Sequence, residues 1–279
     1  MSTTSDRAVG RARRAVLELP GQRIAALQSG PAGGPPVLLV PGYTGSKEDF
    51  GPILDPLGEA GLWVTAIDLP GQYESPGLPA AGDYTTERLG AVVRAVAARL
   101  GPRVRLLGHS FGGLVARAAV IAEPSAFASL VLLGSGPAEI GGVRRVTMDE
   151  LEPVLASAGL PGLYAAMQAA AATDPAFVAP PPDVAEFLAR RFLRGSPEML
   201  LGMAQALRSE PDRVAELAAT AVPVLVAYGE DDDAWPPAVQ RDMADRLGAP
   251  HAVVPGAAHS PAVENPAGTV AVLRAFWSS

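Results

Sequence analysis

Cysteine is absent from this chain of 279 residues, and histidine occurs only three times. Without cysteine the chain has no disulfide framework, no cysteine nucleophile and no thiolate metal site. Three scattered histidines form no visible metal-ligand cluster, so we predict that no metal is bound. The Gly-x-Gly-x-x-Gly pattern of dinucleotide sites and the Walker pattern of nucleotide sites are also missing, and we expect no cofactor.

Positive charge and long apolar runs are scarce too. The net charge is −7 and Lys47 is the only lysine, which argues against a nucleic-acid-binding surface. No stretch approaches the ~18 consecutive apolar residues of a membrane span. The basic residues near the N-terminus precede no apolar signal-peptide region. We therefore expect a cytoplasmic protein without a membrane span; its oligomeric state stays open.

Hydrophobic residues make up 48% of the chain, which supports a large core. After a tail at residues 1–14 that we predict to be disordered, two short strands flank a Pro-Gly turn. Apolar runs at 37–40, 62–67 and 129–133 then alternate with amphipathic helical patterns. Such alternation predicts an α/β fold, a mostly parallel twisted sheet with helices on both faces. We assign residues 15–137 and 219–279 to this core domain.

Between residues 138 and 218 the strand pattern stops, and helical patterns separated by proline and glycine take its place. Ser196 followed by Pro197 is typical of a helix N-terminus. We predict a helical lid inserted into the core, named here the helical insertion (residues 138–218). Met199 and Met203 fall within it, and their flexible thioethers suit the wall of a substrate pocket. The alternative is that they fill the interface between insertion and core.

A strand, a sharp turn and a helix meet at residues 103–120, with Ser110 at the apex of the turn. The apolar run at 104–107 is followed by Gly108-His109-Ser110-Phe111-Gly112 and then by a helical pattern. Glycines are needed in so tight a turn because side chains there would collide with neighbouring backbone. The helix N-terminus behind the serine favours negative charge nearby. This pattern predicts that the turn pushes the Ser110 hydroxyl out of the sheet.

The G-x-S-x-G turn in this context resembles the nucleophile elbow of the α/β-hydrolase family. The segment PGYTGSKEDFGPILDPLGEAGLWVTAIDLPG at 41–71 is similar to the family's opening segment. The resemblance covers residues 15–137 and 219–279 and implies the α/β-hydrolase fold with a serine nucleophile. It does not extend to the helical insertion.

A serine hydroxyl needs a base within hydrogen-bond reach before it can act as a nucleophile. His259 lies in a loop after the last predicted strand, where a parallel sheet places its site residues. We predict that His259 is the base, with His251 at the entrance of that strand as the alternative. His109 lies inside the elbow, and we expect its side chain to point away from the reacting oxygen.

Four carboxylates follow the preceding strand, at residues 230–233. The resemblance implies an acid three residues after Gly229 and four before Pro236, which selects Asp232. Some family members place the acid after an earlier strand, and Glu139 could serve in that way. With Asp232 the chain order is nucleophile, acid, base, as in the α/β-hydrolases.

An oxyanion hole in this family is built from two backbone N–H groups. The resemblance implies that Phe111 supplies one and Tyr43 the other. Pro41 stands where the family commonly has a histidine, and Gln72 replaces the histidine of its Gly-His-Gly. Since the donors are backbone amides, we expect these two substitutions to leave the oxyanion hole intact. We expect the contacts that hold its loop in place to differ from those of the family.

The resemblance implies a serine hydrolase that cleaves a carboxylic ester or related acyl compound through an acyl-enzyme. A small-molecule acyl substrate is the expected partner. Acyl transfer and the cleavage of thioesters, lactones, amides or carbon–carbon bonds stay open, as does perhydrolysis. Serine at the elbow argues against haloalkane dehalogenase and epoxide hydrolase chemistry, which use aspartate there. A ligand-binding protein that retains the triad with slow turnover is the alternative from another class.

Overall fold

The computed structural model describes residues 10–173 and 177–278, which contain eight strands and ten α-helices. The strands are β1 (Arg13–Leu19), β2 (Gln22–Ser29), β3 (Pro36–Val40), β4 (Trp63–Ile67), β5 (Val104–His109), β6 (Phe127–Leu133), β7 (Val224–Gly229) and β8 (His251–Val254). The helices are α1 (Gly51–Glu59), α2 (Thr86–Leu100), α3 (Phe111–Ala122), α4 (Gly142–Ala171), α5 (Pro182–Leu193), α6 (Pro197–Ser209), α7 (Val214–Ala219), α8 (Pro237–Leu247), α9 (Pro261–Glu264) and α10 (Pro266–Trp277).

All eight strands form one sheet in the order β1-β2-β4-β3-β5-β6-β7-β8. The β1–β2 and β2–β4 pairs are antiparallel, and every other pair is parallel. The α/β fold class with a mostly parallel sheet is thereby confirmed. The carboxyl ends of the parallel strands meet at one edge, where the loops after β3, β5, β7 and β8 gather.

The N-terminal boundary needs correction. Arg13 and Arg14, which the sequence assigns to a disordered tail, belong to β1 and pair with Gln28 and Leu27. The strand begins earlier than its apolar pattern indicates because an edge strand can carry exposed charged residues. Residues 1–9 of the predicted tail lie outside the described residues.

Both faces of the sheet are covered, as predicted. Leu38 and Val40 point into an apolar cluster with α2, α3, α8 and part of the helical insertion. Val37 and Leu39, one residue out of phase, point into a second cluster with α1 and α10. Because side chains alternate between the faces of a strand, burial of both faces explains why β3 is an uninterrupted apolar run.

The helical insertion contributes α4 to α7, with no strand among its described residues between β6 and β7. Helix α4 is kinked at Gly159, whose backbone is non-helical (φ 63°, ψ −168°). Helix α6 begins as predicted: the Ser196 hydroxyl accepts from the Met199 N–H at 3.1 Å, and Pro197 occupies the first turn.

Within the described residues α4 alone has the length and composition of a membrane span, with a mean hydropathy of 1.2 over its best 18-residue window. Only 11% of that window is buried. The kink at Gly159 divides α4, and neither part reaches the ~20 residues that a span needs. Neither part of α4 thus has the length of a typical span, and that the protein lacks a membrane span remains a prediction from the sequence.

The segment before α4 and the segment at the end of α6 lie side by side at the base of the helical insertion and are anchored on α3. The Glu139 N–H donates to the Glu210 carbonyl at 2.9 Å, and the Ile140 N–H donates to the Leu207 carbonyl at 2.8 Å. The fully buried guanidinium of Arg117 forms an ion pair with Glu210 at 2.7 Å and donates to the Pro137 carbonyl. One side chain of α3 therefore contacts both segments.

Candidate active site

Ser110 sits at the turn between β5 and α3 with a strained backbone (φ 55°, ψ −123°). Such a conformation is rare for a residue other than glycine and is a recurrent feature of functional sites. A Cβ on Gly108 would lie 2.2 Å from the Gly112 carbonyl oxygen, and one on Gly112 would lie 2.4 Å from the Val40 carbonyl oxygen. Only glycine fits at either position, so the sequence spacing follows from the turn.

Three loops at the carboxyl edge bring the proposed nucleophile, base and acid together. Ser110 Oγ lies 3.0 Å from His259 Nε2, and His259 Nδ1 lies 2.9 Å from Asp232 Oδ1. Ser110 follows β5, Asp232 follows β7 and His259 follows β8. The arrangement has the geometry of a base that can take a proton from the serine while a carboxylate orients its ring.

Asp232 is enclosed by donors. Its side chain is fully buried, and besides His259 it accepts from the Ala234 N–H at 2.9 Å and from Gln240 Nε2 at 2.9 Å. Burial by itself would raise the pKa of Asp232, but the hydrogen bonds and the charge of His259 hold this pKa below its usual value. The carboxyl group is therefore an ionised acceptor at neutral pH.

The other candidate acids point elsewhere. Asp231 is exposed, and Asp233 pairs with Arg144 at 2.7 Å. Glu139 has an exposed side chain that lies 3.9 Å from Arg145. Of the acids that the sequence leaves open, Asp232 is the one that contacts His259.

His109 is a supporting residue that the sequence does not identify. Its Nε2 lies 2.7 Å from the His259 carbonyl oxygen, so it must carry the proton there and donate. Burial, with the neighbouring His259 ring, lowers the pKa of His109 to about 4, which keeps it neutral. The alternative base, His251, is exposed and stacks on Tyr228 with ring centroids 6.2 Å apart.

The proposed oxyanion donors are the N–H group of Phe111, the residue after Ser110, and that of Tyr43, the residue after Gly42. Among the described residues neither N–H donates to another protein group. Gly42 makes the close approach, since a Cβ there would lie 3.1 Å from the Ser110 Cβ. The Tyr43 hydroxyl donates to the Leu200 carbonyl of α6 at 2.9 Å. Burial raises the pKa of Tyr43, so the hydroxyl stays protonated.

Gln72 anchors this loop in place of the family's histidine. Its Nε2 donates to the Gly42 carbonyl at 2.6 Å and to the Tyr43 carbonyl at 3.3 Å, while its Oε1 accepts from the Leu69 N–H at 2.8 Å. In a trans peptide the C=O of Gly42 and the N–H of Tyr43 point in opposite directions. By holding the first, Gln72 sets the direction of the second.

Lys47, the only lysine of the chain, forms ion pairs next to the loop that carries Gly42 and Tyr43. Lys47 Nζ is buried and lies 2.8 Å from Asp68, 2.7 Å from Glu74 and 3.0 Å from Glu48. Burial alone would lower the pKa of Lys47, but Asp68 and Glu48 raise it above its usual value. This charged cluster links the segment after the oxyanion loop to the loop after β4. Its role is not visible in the sequence, since its members are up to 27 residues apart.

A cavity of about 620 Å³ opens at Ser110 between the core and the helical insertion. Met148 and Met167 of α4 line it, but Met199 and Met203 do not. The prediction for these two residues needs correction: both are buried in the core cluster. The face of α6 that contacts the cavity is the one next to the two methionines, and it carries Leu200, Ala204 and Leu207. Met199 packs on Gly71 instead.

Metal ligands do not gather in the part of the chain that the structure describes. Residues 10–173 and 177–278 contain no group of three or more His, Asp or Glu side chains placed to hold a metal ion. The absence of a metal or cofactor stays a prediction from the sequence.

Curated relatives match over part of their length. A Variovorax paradoxus (strain S110) protein, by its name a carbamate hydrolase (RutD), is 41% identical over 106 residues, which is 38% of this chain and 40% of that protein. A 2-hydroxy-6-oxononadienedioate/2-hydroxy-6-oxononatrienedioate hydrolase of Klebsiella pneumoniae is 36% identical over 97 residues, 34% of this chain and 33% of the relative. The chain thus spans well under half the length of these two proteins.

Solved structures match over nearly the whole chain. An enol-lactonase from Burkholderia xenovorans LB400 has a TM-score of 0.78 at 20% identity, covering 95% of this chain and 100% of that one. A thermophilic esterase from Thermogutta terrifontis has a TM-score of 0.77 at 23% identity, covering 96% and 98%. At these identities the likeness concerns the fold.

The match to a protein family rests on the sequence itself and covers most of the chain. The sequence profile of the alpha/beta hydrolase family matches residues 37–272, from β3 into the last helix. This range includes the elbow, the helical insertion, and the loops after β7 and β8. Together with the sheet order and the relatives named as hydrolases, it shows that the chain is an enzyme that belongs to the alpha/beta hydrolase family.

Proposed function

We propose that the protein is a serine hydrolase that cleaves a carboxylic ester, with Ser110 as nucleophile, His259 as base and Asp232 as orienting acid. The observation that carries this proposal is the continuous hydrogen-bond chain from Ser110 Oγ through the His259 ring to Asp232, at 3.0 Å and 2.9 Å. An imidazole between a hydroxyl and a carboxylate is the arrangement that activates a serine.

In the first half-reaction Ser110 Oγ attacks the ester carbonyl carbon, and its proton passes to His259 Nε2. The carbonyl oxygen takes up negative charge, which the Tyr43 and Phe111 N–H groups stabilise. When the tetrahedral intermediate collapses, the bond to the alcohol breaks and His259 returns the proton to the leaving oxygen. The product of this step is an ester between the acyl group and Ser110.

In the second half-reaction water takes the place of the alcohol. His259 accepts a proton from the water, whose oxygen attacks the acyl-enzyme carbonyl, and then returns the proton to Ser110 Oγ. The carboxylic acid leaves and the serine is regenerated. Asp232 stays ionised throughout and stabilises the imidazolium that forms in each half.

We assign the helical insertion the role of a lid that covers the acyl or leaving group. The support for this role is its share of the cavity wall, which includes Met148, Leu155 and Leu207. Apolar walls around a few polar reacting groups are the usual make-up of a small-molecule site.

The test combines covalent labelling with turnover. A fluorophosphonate probe should label the wild type on the peptide that contains Ser110, and the protein should hydrolyse 4-nitrophenyl butyrate steadily. The variant Ser110→Ala should lose both activities with a nearly unchanged thermal midpoint, because it removes only one hydroxyl. Labelling without turnover would favour a ligand-binding protein of this fold. Wild-type turnover in Ser110→Ala would disprove the proposal.

A further inference from the structure

The cavity at Ser110 is bordered by three arginines, and the most exposed of them is held by a carboxylate. Arg144, near the start of α4, makes a two-point contact with Asp233: its Nε lies 3.0 Å from Oδ2 and its Nη2 lies 2.7 Å from Oδ1. Two parallel hydrogen bonds of this kind occupy one edge of the guanidinium and pair its charge with the Asp233 carboxylate.

The second arginine, Arg191 of α5, reaches from the helical insertion to the core. Its Nη1 forms an ion pair with Asp49, and its guanidinium lies over the ring of Phe187, 5.7 Å from the centroid. Its side chain is largely buried, so the ion pair is shielded from solvent.

The third arginine, Arg208, lies at the end of α6 and contacts α4. Its Nε lies 2.6 Å from Asp149, its Nη1 pairs with Glu152, and its Nη2 donates to the Met148 carbonyl at 3.1 Å. Two carboxylates and a carbonyl therefore surround this guanidinium, which is itself largely buried.

The charged groups of the cavity wall leave no positive excess. The three arginines stand against four carboxylates, those of Asp49, Glu152, Asp233 and Glu264. The fourth carboxylate is engaged by backbone, since Glu264 accepts from the Ala258 N–H at 2.6 Å and from the Ser260 N–H at 3.2 Å. A substrate carboxylate would either enter a wall in which carboxylates outnumber arginines, or displace one of these carboxylates and leave it without its partner; both are unfavourable in a partly desolvated site.

Most of the remaining wall is apolar and comes from the helical insertion. The methionines of α4 and the cavity face of α6 belong to this apolar wall. The other apolar residues that line it are Ile140, Leu151, Leu155, Leu163, Phe192 and Leu201. The volume of about 620 Å³ lies within the ~300–1,000 Å³ that is usual for small-molecule sites.

Building on the proposed function, we infer that the site selects an acyl substrate that carries no charge, and discriminates against one whose acyl chain ends in a carboxylate. The neutralised arginines remove the counter-charge that such a carboxylate needs, and the apolar wall offers no replacement. The substrate class is thus a neutral ester of medium size.

Matched esters of one alcohol test this inference. The 4-nitrophenyl ester of 5-methylhexanoic acid and the 4-nitrophenyl half-ester of glutaric acid have acyl chains of equal length that end in an isopropyl group or in a carboxylate. We expect kcat/KM to favour the neutral ester by about a hundredfold or more at pH 7.5. The methyl-capped glutarate ester is the polarity control, and it should lie close to the isopropyl compound.

The outcomes separate the inference from the proposed function. Hydrolysis of the half-ester within tenfold of the neutral ester would overturn the inference and leave the serine-hydrolase proposal standing. A 4-(trimethylammonio)butanoate ester that exceeds the neutral ester would also overturn it. Hydrolysis of none of these esters would disprove the proposed function and this inference with it.

A variant that releases one arginine gives a second, independent readout. Asp233→Asn frees Arg144, and we expect the ratio of half-ester to neutral-ester kcat/KM to rise by about tenfold, because a free guanidinium can bind the substrate carboxylate. Asp231→Asn is the matched control, since Asp231 lies on the same loop and does not line the cavity. An unchanged ratio in Asp233→Asn would overturn the assignment of the paired arginines as the basis of selection.

Discussion

The imidazole of His109 donates a 2.7 Å hydrogen bond to the backbone carbonyl of His259, so the elbow and the loop of the proposed base are joined directly. The contact links two segments 150 residues apart in the chain. It places the neighbour of the proposed nucleophile against the loop that carries the proposed base.

Removal of this donor should impair catalysis. His109→Phe keeps an aromatic ring but cannot donate, and we expect kcat for 4-nitrophenyl butyrate to fall by about tenfold, the value of one hydrogen bond of ~1.4 kcal/mol. His109→Gln can place an amide N–H near the same point and should retain most of the activity. Equal losses in the two variants, measured beside their thermal midpoints, would show that packing and not the hydrogen bond matters.

His109 should also make the protein sensitive to mild acid. Its pKa of about 4 in the folded state lies below the usual 6.5, so between these pH values the unfolded chain binds a proton that the folded protein does not. The free energy of unfolding therefore falls as the pH drops through this window. His109→Gln removes this contribution, and urea unfolding at pH 7 and pH 5 should show a smaller loss for the variant. A loss equal to that of the wild type would contradict the assignment.

The three consecutive aspartates should differ sharply. Asp232→Asn leaves the shape intact but removes the charge that orients the His259 ring, and kcat should fall by about 10⁴. Asp231→Asn and Asp233→Asn should stay within about tenfold of the wild type for neutral esters. The measurement is kcat for the three variants at one pH. A mild effect of Asp232→Asn would require another acid.

Gln72 should act through the oxyanion hole. In Gln72→Glu a carboxylate would face the Gly42 carbonyl oxygen, so the donor that sets the Tyr43 N–H is lost and kcat should fall by about a hundredfold with little change in KM. Affinity for a trifluoromethyl ketone, whose adduct with Ser110 carries an oxyanion, should fall in parallel. Gln72→His, the residue common in the family, restores a donor and should recover most of both. Loss of stability without loss of inhibitor affinity would contradict this role.

Most of the site could be predicted because it follows local rules. Gly108 and Gly112 mark a turn that admits no other residue, and Asp232 and His259 follow strands whose apolar runs are unambiguous. The carboxyl ends of parallel strands then bring these loops together whatever the details of packing. Short-range pattern and sheet topology are sufficient to locate these loops, whereas the choice of Asp232 among the acids at 230–233 depends on the spacing that the family resemblance implies.

The residues that could not be predicted depend on packing between distant segments. The stripe of Met199 and Met203 marks an apolar face, but α6 has apolar neighbours on two sides, and periodicity does not say which side is the cavity. Arg117 and Glu210 are 93 residues apart, and each alone resembles a solvated surface residue. Their pairing depends on where the helical insertion returns to the core.

That return point has a consequence for how this enzyme could diversify. Glu139 and Glu210 are adjacent at the base of the helical insertion, so the 70 residues between them, which contain α4 to α6, leave and re-enter the core at nearly one place. A cassette with adjacent ends can be shortened, lengthened or exchanged without shifting β6 against β7. Recombination at these two positions could therefore change the substrate range of the enzyme and leave Ser110, Asp232 and His259 in place.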